Sequence, residues 1–127
     1  MIENIPFFDH RPMHDSINEE LTAAFQKVLH SSNIMLGSEV NSFESNVCHY
    51  LNCKYAIGVN SGLDALVISL RALGIGNGDE VIVPSNTYVA SWLAVSMVGA
   101  TPIPVEPDIS DYNIDASKIE EKITSKT

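Results

Sequence analysis

Basic residues are scarce in this chain of 127 residues, which has 7 lysine and arginine residues against 16 aspartate and glutamate residues. The formal net charge of −9 disfavours nucleic acid and anionic membrane as partners. Long apolar runs are also missing, since no stretch approaches the roughly 20 residues of a membrane-spanning helix. The first residues lack the basic and apolar segments of a signal peptide. We therefore expect a cytoplasmic protein that binds neither nucleic acid nor membrane.

Cysteine is nearly absent, because Cys48 and Cys53 are the two thiols of the chain. Their C-x4-C spacing has no second pair and no obvious histidine partner, which favours reduced cysteines over a disulfide or a metal site. His10 and His14 have the spacing of metal ligands on a helix, but Pro12 lies between them and no third ligand follows. We predict no metal site.

Apolar residues, in contrast, make up 45% of the chain, as is typical of a globular protein, and the length suits one small domain. Their patterns predict strands over 55–59, 80–84 and 101–105 and helices over 17–30, 37–51, 63–73, 89–98 and 115–124. This alternation is typical of the α/β class with a parallel sheet. Pro102 and Pro104 predict that the third strand lies at an edge of that sheet.

Short patterns predict how several of these elements begin and end. Ser16 and Glu19 have the spacing of a capping box at the start of the first helix, after an extended lead-in over 6–12. Residues 74–78 contain a G-x-G spacing, but they follow a helix and precede a strand. They therefore predict a helix end and a turn instead of a dinucleotide-binding loop. Asp115 is expected to cap the last helix.

The stretch from 55 to 99 contains two strand–turn–helix units, and the first of them has a candidate anion site. Asn60 or Ser61 is expected to cap the helix, and Gly62 leaves the N–H groups of the first turn uncovered. The positive end of a helix with unpaired donors suits a phosphate-sized anion. The residues alone equally allow a tight turn without a ligand. Asp64 can be explained by the helix dipole without any catalytic role.

The second unit places Tyr88 in the turn that follows the strand over 80–84. If the two strands are parallel, both turns lie at the carboxyl edge of one sheet, where open α/β sheets bind ligands. Gly62 and Tyr88 are then expected to face one site. The pattern by itself leaves a second role open for Tyr88, because an aromatic residue at a helix start is often part of the core.

Four segments resemble the pyridoxal-phosphate-dependent sugar aminotransferases of the DegT/DnrJ/EryC1/StrS type, which act on nucleotide-linked keto-sugars. They are residues 5–9 (IPFFD), 36–40 (LGSEV), 61–66 (SGLDAL) and 78–84 (GDEVIVP). The resemblance covers essentially the whole chain, in order and spacing, and only the first third of such an enzyme. It implies that residues 1–127 are the N-terminal part of the large, cofactor-binding domain of a fold-type I aminotransferase. That domain has a mostly parallel sheet between helices, and the chain is expected to be truncated, without a complete second domain.

The resemblance also implies roles for individual residues. Ser61, Gly62 and Leu63 occupy the positions that bind the 5′-phosphate of pyridoxal phosphate. Many members have threonine in place of Leu63, so we expect backbone N–H groups to bind the phosphate here. Tyr88 is expected to lie flat on the pyridine ring. No catalytic residue is predicted within the chain, because the Schiff-base lysine and the aspartate that protonates the ring nitrogen are expected after residue 127.

The function implied by the resemblance is transamination of a nucleotide-linked keto-deoxysugar in amino-sugar and polysaccharide biosynthesis. The expected substrate is a dTDP-3-keto-6-deoxyhexose, the amino donor glutamate and the full-length enzyme a homodimer. Residues 62–66 together with 88–92 look most like members that aminate the C3 position. Two alternatives stay open. One is a dehydratase of the same family with histidine in place of the lysine, and the other is a non-catalytic phosphate-binding α/β module.

Overall fold

The computed structural model describes residues 6–127, which form two compact units. The first unit ends at Gly58, and the second is Val59–Thr127. Within the described residues, no helix combines the length and the apolar character needed to cross a membrane. Residues 1–5 lie outside the described part of the chain. The expectation that the chain has no signal peptide concerns these residues, and Ile5 of the IPFFD segment is one of them.

The first unit is helical and consists of α1 (Arg11–Ser16), α2 (Asn18–His30) and α3 (Ser38–Leu51). The helices predicted over 17–30 and 37–51 are confirmed to within one residue at each end. Gly37 is the N-cap of α3, and Asn52 ends this helix in the left-handed conformation, with φ 51° and ψ 43°. Asparagine tolerates that conformation better than most residues, which explains why α3 stops there.

The beginning of this unit differs from two expectations. α1 occupies part of the segment predicted as extended, because Pro12 lies in the first turn of a helix, where its missing N–H costs no hydrogen bond. The capping box at Ser16 is also wrong. The Ser16 hydroxyl donates to the carbonyl oxygen of Met13 at 2.7 Å, while the N-cap of α2 is Ile17, without a side-chain cap. Ser16 therefore ends α1 instead of starting α2.

The strand predicted over residues 55–59 is not formed. The segment has no strand partner in the described part of the chain, and the side chains of Tyr55 and Ile57 are 74% and 81% exposed. The N–H of Gly58 instead donates to Oε1 of Glu44 at 2.7 Å. A β-rich composition becomes a strand only through pairing and packing against neighbours, and residues 6–127 supply no neighbour here.

The second unit alternates helices and strands and confirms the α/β class. Its elements are α4 (Gly62–Ala72), β1 (Glu80–Pro84), α5 (Val89–Met97) and β2 (Thr101–Val105). β1 and β2 are parallel, as predicted, with the register running from Glu80 opposite Thr101 to Pro84 opposite Val105. α5 makes the crossover between the two strands, the connection that a parallel pair requires.

The two prolines of β2 lie where a strand at a sheet edge can hold them. The N–H of Thr101 donates to the carbonyl oxygen of Asp79, which precedes β1, so this donor faces β1. Donors alternate in direction along a strand. At positions 102 and 104 a backbone N–H would point away from β1. The missing N–H groups of Pro102 and Pro104 therefore cost no hydrogen bond between the two strands. In the described residues the sheet has two strands, so β1 and β2 both lie at its edges, and the edge position predicted for β2 stays a prediction.

In this unit the prediction for residues 74–78 is confirmed, whereas the prediction for residues 115–124 is wrong. Gly74, with φ +77°, follows the end of α4 and confirms that residues 74–78 are a helix end and a turn. The helix predicted over 115–124 is instead two 3₁₀ turns, Ala116–Lys118 and Glu120–Lys122. Asp115 caps the first of them by accepting from the N–H of Ser117 at 3.0 Å. Elements this short commonly close the tighter 3₁₀ hydrogen bonds.

A small core joins the helices of the second unit to its sheet. Val83 of β1, Val95 of α5 and Ala100 are buried, and Leu70 of α4 and Trp92 of α5 pack against them. Much apolar surface stays outside this core. Val67 is the buried residue of α4, whereas its neighbours Leu66 and Ile68 are 43% and 53% exposed. A helix such as α4, which is apolar nearly all round, is typically buried on several sides.

This exposed apolar surface predicts that residues 1–127, expressed on their own, do not fold into a robust monomer. We expect a broad thermal transition by circular dichroism, together with binding of a hydrophobic dye at low temperature. The reason is that the buried apolar area offsets only part of the entropy that ordering the chain costs. A sharp cooperative transition from a monomer, without dye binding, would contradict this prediction.

Candidate functional site

The helix starts of α4 and α5 border one open cleft of about 750 Å³ in the second unit. Residues 61–63 and 66 line one side, and residues 88–91 and 93 line the other. The cleft lies beside the turn that follows β1, which is the carboxyl end of a parallel strand. The structure thus brings Ser61, Gly62, Leu63 and Tyr88 together, while their individual binding roles stay predictions.

Ser61 is the N-cap of α4, which decides between the two caps that the sequence allowed. Its Oγ accepts from the N–H of Asp64 at 3.1 Å and donates to Oδ2 of the same residue at 2.8 Å. The hydroxyl is therefore engaged in holding the helix start. Ser61 can contribute to a ligand site chiefly by fixing the direction of the first turn.

The backbone donors of the next two residues remain available. An α-helix leaves its first four N–H groups without partners inside the helix. Ser61 satisfies the N–H of Asp64, and the carbonyl of Ser61 accepts from Ala65. No hydrogen bond among the described residues uses the N–H of Gly62 or Leu63. These two donors lie at the positive end of α4 and at the wall of the cleft.

Gly62 keeps the approach to these donors open. A Cβ atom built at this position would have no heavy atom within 4 Å, so the protein itself does not fill the space in front of the turn. Asp64 adds one negative charge to the first turn, as is usual for acidic residues at a helix start. The hydrogen bond from Ser61 ties that carboxylate to the cap.

Tyr88 is the N-cap of α5 and is 80% exposed at the cleft. Among the described residues it is not part of the core, and its binding role stays a prediction. Two contacts set the turn that carries it. The N–H of Ser85 donates to the carbonyl oxygen of Val105 at 2.8 Å. Nδ2 of Asn86 donates to the carbonyl oxygen of Tyr112 at 3.0 Å.

Several cleft residues were missed by the sequence analysis. Leu66 and Leu93 add apolar walls, and the hydroxyl of Ser91 lies 2.8 Å from that of Thr87. Helical periodicity could have found Leu66 and Ser91, because Leu66 is three residues after Leu63 and Ser91 is three residues after Tyr88. Residues at that spacing share one face of a helix.

Charged side chains capable of covalent or metal chemistry are absent from this cleft in residues 6–127. No lysine is among the lining residues. Lys27 and Lys118 instead pair with Glu39 and Asp115, at 2.6 and 2.9 Å. The described residues also contain no group of three histidine, cysteine or acidic side chains that could hold a metal ion. The cleft therefore offers backbone donors, the hydroxyl groups of Ser91 and Tyr88, one aromatic ring and apolar walls.

A parallel pair of strands with a ligand-sized cleft beyond a strand's carboxyl end is the arrangement of ligand-binding α/β proteins. Residues 15–127 match the DegT/DnrJ/EryC1/StrS aminotransferase family. The chain belongs to this family, which confirms the resemblance seen in its sequence.

Two relatives indicate the chemistry found in the family. The chain is 56% identical over 123 residues to the dTDP-3-amino-3,6-dideoxy-α-D-galactopyranose transaminase of Aneurinibacillus thermoaerophilus. It is 49% identical to the dTDP-3-amino-3,4,6-trideoxy-α-D-glucose transaminase of Streptomyces venezuelae. Both alignments cover 97% of the chain but only 34% and 32% of the relatives. The chain thus spans about a third of the length of the curated relatives it matches.

Solved structures confirm the fold class. The S. venezuelae protein DesV, in complex with a ketimine intermediate, has a TM-score of 0.90 at 48% identity and covers 97% of the chain. NtdA from Bacillus subtilis, with the bound cofactor PMP, has a TM-score of 0.85 at 34% identity and covers all of it. The chain matches 33% and 29% of these two proteins. It therefore has the fold of one part of an aminotransferase.

The cap at Ser61 leads to a prediction about the stability of the site. Ser61→Ala should lower the stability of α4 by about 1 kcal/mol, because the N–H of Asp64 loses its acceptor. Ser61→Thr keeps an acceptor oxygen and serves as the matched control. Thermal unfolding of the complete protein without added ligand would measure both variants. Equal midpoints for the alanine and threonine variants would show that the cap contributes little.

Proposed function

We propose that the complete protein is a pyridoxal-phosphate-dependent aminotransferase that transfers an amino group to a nucleotide-linked keto-deoxysugar. The observation that carries this proposal is the cleft in which the open N–H groups of Gly62 and Leu63 lie with the exposed ring of Tyr88. Membership of the aminotransferase family supports it. In this proposal residues 1–127 are the N-terminal part of the large domain.

The residues of the cleft fit the phosphate of the cofactor. The N–H groups of Gly62 and Leu63 would donate to phosphate oxygens, aided by the positive end of α4. Leu63 has no hydroxyl to add, so recognition at this position relies on its backbone donor. The missing Cβ of Gly62 leaves room for the anion close to the turn. Ser61 acts indirectly, by holding the first turn through Asp64.

The face of Tyr88 fits the other end of the cofactor. Its ring would stack on the pyridine ring and fix the ring plane, an interaction that contributes about 0.5–1.5 kcal/mol. Leu66 and Leu93 would exclude water from the edges of the stacked pair. When bound, pyridoxal phosphate supplies an electron sink and a carrier for the amino group. The lysine and the aspartate that complete this chemistry are proposed to lie in other parts of the protein.

The names of the relatives support a finer proposal for the substrate. Both transaminases are named for a dTDP-linked sugar with an amino group at C3. We therefore propose a dTDP-3-keto-6-deoxyhexose as substrate and glutamate as amino donor. The product would be used in amino-sugar and polysaccharide biosynthesis, and the working enzyme would be a cytoplasmic homodimer.

A direct assay tests the proposed function. The complete protein is incubated with pyridoxal phosphate, L-glutamate and a dTDP-linked 3-keto-6-deoxyhexose, and the products are identified by mass spectrometry. We expect equal amounts of 2-oxoglutarate and dTDP-3-amino sugar. Loss of water from the sugar without transfer of nitrogen would instead identify a dehydratase. Cofactor binding without any turnover of keto-sugars would contradict the proposal.

Gly62 provides a test of the phosphate site. Gly62→Val should weaken binding of pyridoxal phosphate at least tenfold, or about 1.4 kcal/mol, because its branched side chain fills the space in front of the donors. The structure has room for that side chain, so the fold should survive the change. Ala65→Val adds the same branching to α4 away from the cleft and is the matched control. Absorbance titration would measure both affinities, and an unchanged value for Gly62→Val would remove Gly62 from the site.

Tyr88 provides a separate test of ring stacking. Tyr88→Ala should lower both cofactor affinity and turnover, whereas Tyr88→Phe should be mild because the aromatic face remains. Affinity is measured by absorbance titration and turnover by the transaminase assay. Equal losses in the two variants would assign the role to the hydroxyl group. No loss in either variant would exclude stacking by Tyr88.

A further inference from the structure

The carboxyl end of α3 has a specific hydrogen-bond pattern. The N–H of Cys53 donates to the carbonyl oxygen of Cys48 at 3.0 Å, and the N–H of Asn52 donates to that of His49 at 3.3 Å. Asn52 lies between these bonds in the left-handed conformation. The two nested bonds around a left-handed residue define a Schellman motif.

Cysteines occupy the two contacting positions of this motif. In a Schellman motif the side chains of the residues that share the outer hydrogen bond commonly pack together. Here these residues are Cys48 and Cys53, which share the outer bond from the N–H of Cys53 to the carbonyl oxygen of Cys48. Both are free in the structure. The thiol of Cys53 also contacts the carbonyl oxygen of Tyr55 at 3.4 Å.

We propose that Cys48 and Cys53 form a redox-modification site, at which a small-molecule disulfide such as oxidised glutathione drives formation of an intramolecular disulfide. The motif holds the two backbones in one hydrogen-bonded turn. A disulfide needs Cα atoms only about 4.4–6.8 Å apart with the Cβ atoms facing each other. The reduced pair predicted from the sequence is the resting state of this site.

The exposure of the two thiols sets the order of the reaction. Cys53 is exposed and Cys48 is half-buried. Burial raises the pKa of the Cys48 thiol, and the neighbouring Cys53 raises it further, so Cys48 is the less reactive nucleophile. The Cys53 thiolate attacks the small-molecule disulfide and releases one thiolate. Cys48 then loses its proton and attacks Sγ of Cys53, which releases the second thiol.

The disulfide would fix the segment that follows α3. Glu44 lies one helical turn before Cys48, and its carboxylate accepts a hydrogen bond from the N–H of Gly58. The same face of α3 thus contacts the following segment at Cys53 and at Gly58. A covalent bond at Cys53 would turn the first of these contacts into a permanent one, which should slow hydrogen exchange of the Cys53 amide.

Peptide mapping of the complete protein tests this proposal. The protein is incubated with oxidised glutathione, alkylated under denaturing conditions and digested with trypsin. Both cysteines fall in one tryptic peptide, residues 28–54, since no lysine or arginine lies between Lys27 and Lys54. We expect this peptide to escape alkylation and to be lighter by two hydrogen atoms than its reduced form.

Variants distinguish the proposed order and geometry. Cys48→Ser should retain one glutathione on Cys53, and Cys53→Ser should react with oxidised glutathione at least tenfold more slowly than the unchanged protein. Asn52→Val disfavours the left-handed conformation and should slow disulfide closure at least tenfold, whereas Asn52→Gly, the matched control, should not. A wild-type peptide that is fully alkylated, or that keeps glutathione without closing, would overturn the proposal. Equal closure rates in the two Asn52 variants would also overturn it.

Discussion

The hydrogen bond between Oγ of Ser61 and the N–H of Asp64 is the interaction on which the candidate site depends. The first four N–H groups of a helix have no acceptor inside the helix, and the Ser61 side chain accepts from one of them, the N–H of Asp64. The donors of Gly62 and Leu63 are then directed to the cleft. A larger residue at position 62 would cover them, and a missing cap would let the first turn fray. The candidate site thus offers two donors that residues 6–127 leave without a hydrogen-bond partner.

The parallel pairing of β1 and β2 supplies the second half of the site. Because the strands are parallel, α5 must cross between them and start just after the carboxyl end of β1. That start carries Tyr88, and the bond from Ser85 to Val105 fixes the turn before it. The small core around Val95 packs α5 on the sheet. One topological requirement therefore places an aromatic ring at the same cleft as the donors of α4.

The sequence predicts the elements whose signals are local. α4, α5, β1 and β2 each combine an apolar period with a residue that starts or stops the element, and all four agree with the structure. The failures concern choices between competing partners. Ser16 could cap α2 or bond back to Met13, and composition does not decide which. Residues 55–59 have side chains that favour strands, but a strand forms only when it pairs with an adjacent strand. The cleft residues Leu66 and Ser91 could be found only by applying the helical period to the predicted site residues Leu63 and Tyr88.

The composition of the cleft indicates a division of labour within the proposed enzyme. The cleft offers backbone N–H groups, the hydroxyl groups of Tyr88 and Ser91 and one aromatic ring, and no lysine lines it in residues 6–127. Such a surface can hold and orient a phosphorylated aromatic cofactor, but in residues 6–127 it has no amine that could form a Schiff base with it. Backbone recognition also explains how leucine at position 63 is compatible with a phosphate site, since the N–H group does not depend on the side chain. Stacking by Tyr88 requires only an aromatic face. In the proposed enzyme, this part of the protein would bind the cofactor, and the Schiff base and the proton transfers would need side chains outside residues 6–127.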